Sequence, residues 1–339
     1  MRSFSAFCVL LGLCVILCLQ QVRADDGTML LPIWNHPTDT ASGTTNPAPQ
    51  ATACAHPGHI ALTYNEGPSD VTAKVLNGLK AGQAKASFFV NATWLYTQQY
   101  AMILQRAYND GHLIGMTYRA PGDTTDGMTD EQIRSDVTNS AKVIETLIGV
   151  APKYIRLHYT QPEDTRLENI VRDMGYTLVY YNLDTQDYNF KSNPKGIAEL
   201  YQTTFDKQLD TYDSKGSFIS VQYDIPDTGS WQAIYDTINQ VDTAGYKLVR
   251  LDGCLNDKQP YKESASSKKA ISDKHSFGTS GYKEGQVHAE KPASMMNDDN
   301  ATSDSGEDGS TTKNENTGSI TVSSWISLFI FVLAINVLA

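Results

Sequence analysis

The sequence predicts one α/β domain, built around a parallel sheet that closes into a (β/α)7–8 barrel. Between residues 54 and 254, seven short apolar runs alternate with six segments whose apolar residues recur at helical spacing. This alternation indicates parallel strands joined by helices, and seven or eight such units usually close into a barrel. An open doubly wound sheet is the alternative, although no Gly-x-Gly-x-x-Gly turn follows the first strand, so a dinucleotide site is not supported.

The predicted strands are short apolar runs followed by polar residues. They cover 60–64, 86–90, 113–117, 154–157, 177–182, 218–222 and 247–251. After the first strand, Gly67-Pro68 predicts a turn, and Ser69 or Asp70 is placed to cap the next helix. Farther on, Thr129 and Gln132 have the spacing of a capping box, which predicts another helix start.

Both ends of the chain have the composition of processing signals. Residues 1–24 combine Arg2 with an apolar run and small residues, which predicts a secretory signal peptide rather than a membrane span. Residues 319–339 end in an apolar tail, which predicts a GPI-attachment signal with the anchor near Gly309 or Ser310. A single tail-anchored span is the alternative. We therefore expect secretion and GPI anchoring to the plasma membrane, the cell wall or both.

The segments between these signals differ in composition. Residues 25–53 predict a flexible N-terminal arm, 54–256 the folded domain, and 257–318 a disordered stalk rich in Ser, Asp and Asn. Asn91 and Asn300 begin Asn-x-Thr sequons, so both are predicted glycosylation sites.

Cysteine usage and charge limit the compartment and the partners. Of five cysteines, three lie in the predicted signal peptide, which leaves Cys54 and Cys254 in an oxidising compartment. We expect a disulfide between them that joins the two ends of the domain, with two free thiols as the alternative. The net charge of −11 argues against nucleic acid as a partner.

Polar side chains follow the ends of several predicted strands, on what should be the working face of the barrel. Asn65 and Glu66 follow the first strand. The later clusters contain Tyr118, Arg156, His158, Tyr159, Asp187, Tyr188 and Tyr223. This one-sided distribution predicts a functional groove. The four tyrosines are candidates to stack on sugar rings, and packing with a hydroxyl at the rim is the alternative.

These segments resemble, in the same order, the motifs of fungal chitin deacetylases in carbohydrate esterase family four. Residues 63–68 resemble the motif Thr-Phe-Asp-Asp-Gly-Pro, and the resemblance covers 54–254. It implies a barrel of the polysaccharide-deacetylase type. In active members the first aspartate is a general base, the second aspartate and two histidines hold a divalent metal, and an arginine orients the base. A late histidine, supported by an aspartate, is the general acid, and the metal activates the attacking water.

This chain keeps the motif framework but departs from it at the chemical groups. The positions of base, orienting arginine, supporting aspartate and acid hold Asn65, Arg156, Asp187 and Tyr223. The metal-ligand positions hold Glu66, Met116 and Ala120. An amide accepts no proton from water, a thioether suits zinc poorly, alanine has no donor atom, and an unperturbed tyrosine has a pKa near 10. We expect no intact catalytic set and no metal cofactor.

Other histidines offer an incomplete replacement for the metal site. His56 and His59 precede the first strand and His112 begins the third, so all three should lie at the opposite end of the sheet. His158 with Glu66 supplies two ligands, whereas catalytic zinc normally uses three from the protein. Zinc or cobalt is expected only if the site has rearranged.

Three functional hypotheses remain. The first is a non-catalytic cell-surface protein that binds chitin, chitosan or a related wall polysaccharide, with the membrane reached through the GPI lipid. The second is an active deacetylase that uses a rearranged site of Glu66, His158, Asp187 and Tyr223. The third is an adhesion or structural wall protein whose barrel is a scaffold. Loss of base, acid and two of three ligands favours the first over the second.

Overall fold

The main sheet of the protein is curled and wholly parallel. We describe it from a computed structural model that covers residues 50–158, 164–276 and 289–296. Its strands are β1 (Gln50–Ala51), β2 (His59–Asn65), β3 (Ser87–Asn91), β4 (Leu113–Tyr118), β6 (Tyr154–Leu157), β7 (Thr177–Val179), β8 (Leu183–Asp184), β9 (Phe218–Tyr223) and β10 (Lys247–Leu248). A small antiparallel sheet contains β5 (Ala151–Pro152), β11 (Tyr261–Lys262) and β12 (Ala270–Ile271).

Helices connect the strands in the alternation that the sequence predicts. They are α1 (Thr72–Ala81), α2 (Gln98–Asn109), α3 (Asp130–Ile148), α4 (Thr165–Asp173), α5 (Lys195–Tyr212), α6 (Ser230–Thr243), α7 (Leu251–Cys254) and α8 (Ala293–Met296). Within the described ranges, none of these helices is long and apolar enough to cross a membrane.

The sheet order places β2 in the interior of the fold. The order is β1–β7–β6–β4–β3–β2–β9–β8, with β10 also paired to β2. Ile60, Leu62 and Tyr64 of β2 are fully buried. Burial on both faces is typical of parallel strands that are covered by helices. The predicted α/β barrel of the deacetylase type is confirmed, in the form of a curled half-barrel sheet.

The predicted strand at 177–182 was wrong in extent. It divides into β7 and β8 because the chain crosses between the two edges of the sheet at this point. The Tyr180 amide donates to the Ala51 carbonyl over 2.8 Å, and the Asn182 amide donates to the Ile219 carbonyl over 3.1 Å. These two bonds join the edge strand β1 to β9, so residues 180–182 bridge the open side of the curled sheet.

The last predicted strand is also shorter than expected, because the chain turns into α7 after β10. The Leu251 amide donates to Ser87 Oγ over 3.0 Å instead of continuing the sheet. Helix α7 ends at Cys254, which forms the expected disulfide with Cys54 across 200 residues.

The folded unit extends beyond both ends predicted for it. In the predicted arm, β1 pairs with β7. In the predicted stalk, Tyr261 is fully buried and its hydroxyl accepts a hydrogen bond from the Ile114 amide over 3.0 Å. Lys262 is buried too, and its Nζ donates to the Met174 carbonyl over 3.0 Å. The polar composition of this segment obscured its two anchoring side chains.

The predicted helix cap is found at the start of α3 but not at the start of α1. Thr129 and Gln132 form the predicted capping box of α3. At α1, neither Ser69 nor Asp70 is the cap. Instead, Thr72 Oγ1 accepts a hydrogen bond from the Ser69 amide over 2.7 Å. The Thr72 hydroxyl is held in place by its own hydrogen bond to the buried carboxylate of Asp224.

Several predictions lie outside the described residues. These are the signal peptide, the arm before residue 50, Tyr159, Asn300, the anchor region at Gly309 and Ser310, and the apolar tail. They stay predictions.

Candidate functional site

A cavity of about 310 Å³ opens where the carboxyl ends of the central strands meet. The register pairs Asn65 at the end of β2 with Tyr223 at the end of β9. It also pairs Thr117 of β4 with Arg156 of β6. Six of the predicted site residues line this cavity: Asn65, Tyr118, Ala120, Arg156, His158 and Tyr223.

Asn65 is buried in the wall of the cavity. Its Oδ1 accepts a hydrogen bond from Thr117 Oγ1 over 2.8 Å. This bond orients the amide and leaves Nδ2 as the group available to the cavity. Because an amide nitrogen donates and does not accept, the position that carries the base in the related enzymes offers a donor here.

Glu66 turns away from the strand with a left-handed backbone, at φ 68°. Its Oε2 accepts from Asn91 Nδ2 over 3.2 Å. Its Oε1 lies 3.6 Å from His158 Nδ1. The structure therefore brings together the two side chains that the sequence named as possible metal ligands. The hydrogen bond from Asn91 to Glu66 uses Nδ2, the atom that a glycan at Asn91 would modify, so a glycan there would lie next to Glu66.

The residues at the family's metal-ligand positions do not fit a divalent metal. Met116 is fully buried within β4, where the sheet register sets it between Val90 and Ile155. Ala120 has no donor atom. Over the described part of the chain, no group of three His, Cys, Asp or Glu side chains is arranged to hold a metal ion. Glu66 and His158 alone fall short of the three protein ligands of a catalytic zinc site.

Arg156 is 5% exposed and bonds to neither Asp187 nor Glu66. Its Nε donates to the Val179 carbonyl over 3.2 Å, and its Nη1 donates to Thr63 Oγ1 over 3.1 Å. Burial lowers the pKa of the guanidinium to about 10, so the side chain still carries its charge at neutral pH.

Asp187 lies behind Tyr223 and holds its backbone. Asp187 Oδ2 accepts from the Tyr223 amide over 2.7 Å. Burial raises the pKa of Asp187 to about 6 and that of the Tyr223 hydroxyl to about 12. A hydroxyl with so high a pKa is a poor general acid at neutral pH, because general acids work best near the operating pH.

The tyrosines differ in their availability to a ligand. Tyr118 is buried and its hydroxyl donates to Asp136 Oδ2 over 2.7 Å, so its ring is a packing element. Tyr188 is half exposed and packs edge-on against Tyr223 at 6.1 Å. Tyr181, which also lines the cavity and is 43% exposed, was missed because it fell inside a predicted strand.

A second buried carboxylate, Asp224, was also missed. Its Oδ2 accepts from Thr72 Oγ1 over 2.7 Å, which connects the end of β9 to the start of α1. A Cβ at Gly67 would lie 2.2 Å from Asp224 Oδ2, so only glycine fits beside this carboxylate. Asp224 explains why the turn after β2 needs Gly67.

Asp224 is expected to make the fold less stable as pH rises. Burial raises its pKa to about 7, so between about pH 4 and pH 7 the native state keeps a proton that the unfolded state has lost. The free energy of unfolding should fall by about 4 kcal/mol across this window. Urea denaturation at pH 4.5 and pH 7.5 measures the fall, and Asp224→Asn should reduce it. The exposed Asp126→Asn is the control. If the free energy of unfolding falls as much in Asp224→Asn as in the wild type, this role of Asp224 is contradicted.

His56, His59 and His112 lie toward the amino ends of the strands, as the sequence predicts. His59 begins β2, and its ring packs edge-on against His56 at 5.6 Å. His112 is buried before β4, where its Nδ1 accepts from the Ala86 amide over 3.2 Å. These contacts are structural and lie at the opposite end of the strands from Glu66.

Comparison with known proteins agrees with this geometry. Residues 52–179 match the family model for polysaccharide deacetylase. A chitin deacetylase of Colletotrichum lindemuthianum is 29% identical over 234 residues, which are 65% of this chain and 92% of that protein. A probable peptidoglycan-N-acetylglucosamine deacetylase of Arthroderma benhamiae is 31% identical over 209 residues, 60% of this chain and 46% of that protein.

Solved structures show the same architecture. The Colletotrichum lindemuthianum chitin deacetylase superposes with a TM-score of 0.56 at 27% identity, over 65% of this chain and 97% of that one. A CE4-family pseudoenzyme from Bacillus anthracis shares the fold with a TM-score of 0.51 at 17% identity, over 61% of this chain and 69% of that one. The family match over residues 52–179, the similar relatives and the chitin deacetylase structure together support a fold of the polysaccharide-deacetylase type for this chain.

Proposed function

We propose that this chain is a non-catalytic, cell-surface protein that binds a wall polysaccharide through a deacetylase groove. The observation that carries the proposal is Asn65, whose Oδ1 is occupied by Thr117 at the position where the family's base accepts a proton. The residues at the metal-ligand positions also support a non-catalytic protein, since Met116 and Ala120 supply no ligand for a hard or borderline metal ion.

Chitin, chitosan or a related polysaccharide is the proposed ligand class. The names of the relatives support this choice, because they are deacetylases of chitin and of peptidoglycan N-acetylglucosamine. Tyrosine rings at or beside the cavity supply flat apolar surfaces for sugar rings: Tyr181 and Tyr223 line it, and the half-exposed Tyr188 packs against Tyr223. The predicted signal peptide and GPI signal support a place at the plasma membrane or in the wall.

Residual hydrolysis at a rearranged site is the second candidate. The observation that favours it is the 3.6 Å contact between Glu66 Oε1 and His158 Nδ1. A carboxylate beside an imidazole can orient it as a general base. An adhesion or structural role is a further alternative, for which the stalk rather than the barrel would be responsible.

The deciding experiment measures metal, acetate and binding on one preparation of the mature secreted protein. We expect less than about a tenth of an ion of zinc or cobalt per chain, against one for an occupied zinc site. We also expect no acetate release from chitin oligomers and saturable oligomer binding. Acetate release that Glu66→Gln abolishes would establish the rearranged enzyme instead. Absence of both turnover and oligomer binding would favour the adhesion or structural role.

A further inference from the structure

Arg156 is a buried cation that has no carboxylate partner among the described residues. Its two acceptors, the Val179 carbonyl and the Thr63 hydroxyl, are both neutral. Its Nη2 is buried and has no hydrogen-bond acceptor. The groups that favour its charged form electrostatically are the hydroxyls of Tyr181 and Tyr223, and no carboxylate contributes.

This arrangement is costly, and the same chain avoids it elsewhere. Moving a charge out of water costs several kcal/mol unless a partner compensates. Arg250, which is fully buried on the far side of the sheet, binds both oxygens of Asp252, over 2.9 and 2.6 Å. Arg156 is buried as Arg250 is, but no described carboxylate pairs with it as Asp252 pairs with Arg250. An anionic group of a bound ligand would supply the missing negative charge.

The surrounding cavity wall offers donors to such a group. Asn65 Nδ2 makes no hydrogen bond to any described residue, because the amide bonds only through its Oδ1. Tyr223 adds a hydroxyl to the same wall. The carboxylates that line the cavity are already engaged: Asp123 with Arg119, Asp164 with the Leu167 amide, and Glu168 with Arg172.

We propose that Arg156 and Asn65 bind a carboxylate group of a ligand in this cavity, as in a saccharide that carries a sugar acid. The inference rests on the proposed function and specifies its ligand class. At about 310 Å³, the cavity is at the lower end of the range for small-molecule sites, which suits one sugar unit. A free small carboxylate such as acetate has the same binding chemistry, so the test includes both.

The test compares ligands that differ in one group. Glucuronate and glucose share a ring and differ at the carboxylate, and sodium acetate supplies the carboxylate alone. Titrations of the full secreted protein follow the side-chain Nε–H signal of Arg156 by NMR and the affinity by ligand-observed NMR. Hydrogen bonds to charged groups predict that glucuronate binds about tenfold to a hundredfold more tightly than glucose. Acetate that displaces glucuronate identifies the carboxylate as the recognised group and supports the proposal.

Asn65→Asp is the decisive variant, because it adds a carboxylate to the cavity wall that Arg156 also lines, with little change in volume. It should remove the preference for glucuronate and leave the folded spectrum intact. Asn109→Asp adds the same charge at an exposed position at the end of α2 and should keep the preference. If the wild type shows no preference, or if Asn65→Asp keeps it, the inference is overturned.

The outcomes separate this inference from the proposed function. Binding of chitin oligomers without any preference for glucuronate over glucose would leave the proposed function standing and reject the carboxylate site. Binding of glucuronate without binding of chitin oligomers would support the carboxylate site and reject chitin as the ligand.

Discussion

Changing Asn65→Asp, Glu66→Asp, Met116→His and Ala120→His together is expected to raise bound zinc from near zero to about one ion per chain. The substitutions supply an aspartate and two imidazoles at positions that the resemblance assigns to metal ligands, and the barrel that holds these positions is retained. Metal analysis after dialysis against zinc measures the change. The control is the double variant Asn65→Asp with Glu66→Asp, which lacks the imidazoles and should stay metal-free.

The outcome tests the assignment of the β4 motif as well as the chemistry. Met116 is fully buried, so circular dichroism must first show that the variant folds. A folded variant without zinc would show that Met116 and Ala120 do not correspond to the histidines of the active enzymes.

Acetate release should require one further change, Tyr223→His. The burial that raises the pKa of Tyr223 to about 12 makes this hydroxyl an inefficient proton donor. A positioned general acid typically contributes about a hundredfold to ten-thousandfold to the rate. The five-site variant should therefore exceed the four-site variant by about that factor in a chitin-oligomer assay.

Removing the disulfide is expected to cause the largest loss of stability. The bond between Cys54 and Cys254 closes a loop of 200 residues, for which the chain-entropy treatment gives about 5 kcal/mol. Cys54→Ala with Cys254→Ala should lower the free energy of unfolding by about that amount, because the unfolded chain gains the freedom that the bond removes. Urea denaturation measures the loss, and the reduced wild type should reproduce it. A loss below about 1 kcal/mol would show that the native contacts already hold the two ends together.

The parts of the fold that depend on local pattern were predicted well. The strands at β2, β3, β4, β6 and β9 follow from apolar runs, and the start of α3 follows from Thr129 and Gln132. Errors occurred where distant contacts override local pattern. Residues 180–182 bridge two strands, and Tyr261 lies in a polar segment but is buried by the main sheet.

For the site, the residue types alone fix which chemical groups are present. An amide at Asn65, a thioether at Met116 and a phenol at Tyr223 have fixed donor and acceptor properties wherever they lie. The order of the polar clusters after successive strands also placed them at one end of the sheet, because parallel strands share an edge. These two facts predicted a functional groove, and the resemblance to the deacetylase motifs implied which chemistry to compare it with.

The partners of these groups depend on how the chain folds. Arg156 carries a charge wherever it lies, but only the folded chain shows that it bonds to Thr63 and Val179. Burial and pairing depend on the register between strands that are far apart in sequence, and no local pattern contains that register. For this reason the sequence indicated which chemical groups the site contains, and the fold indicated which of them are paired within the protein.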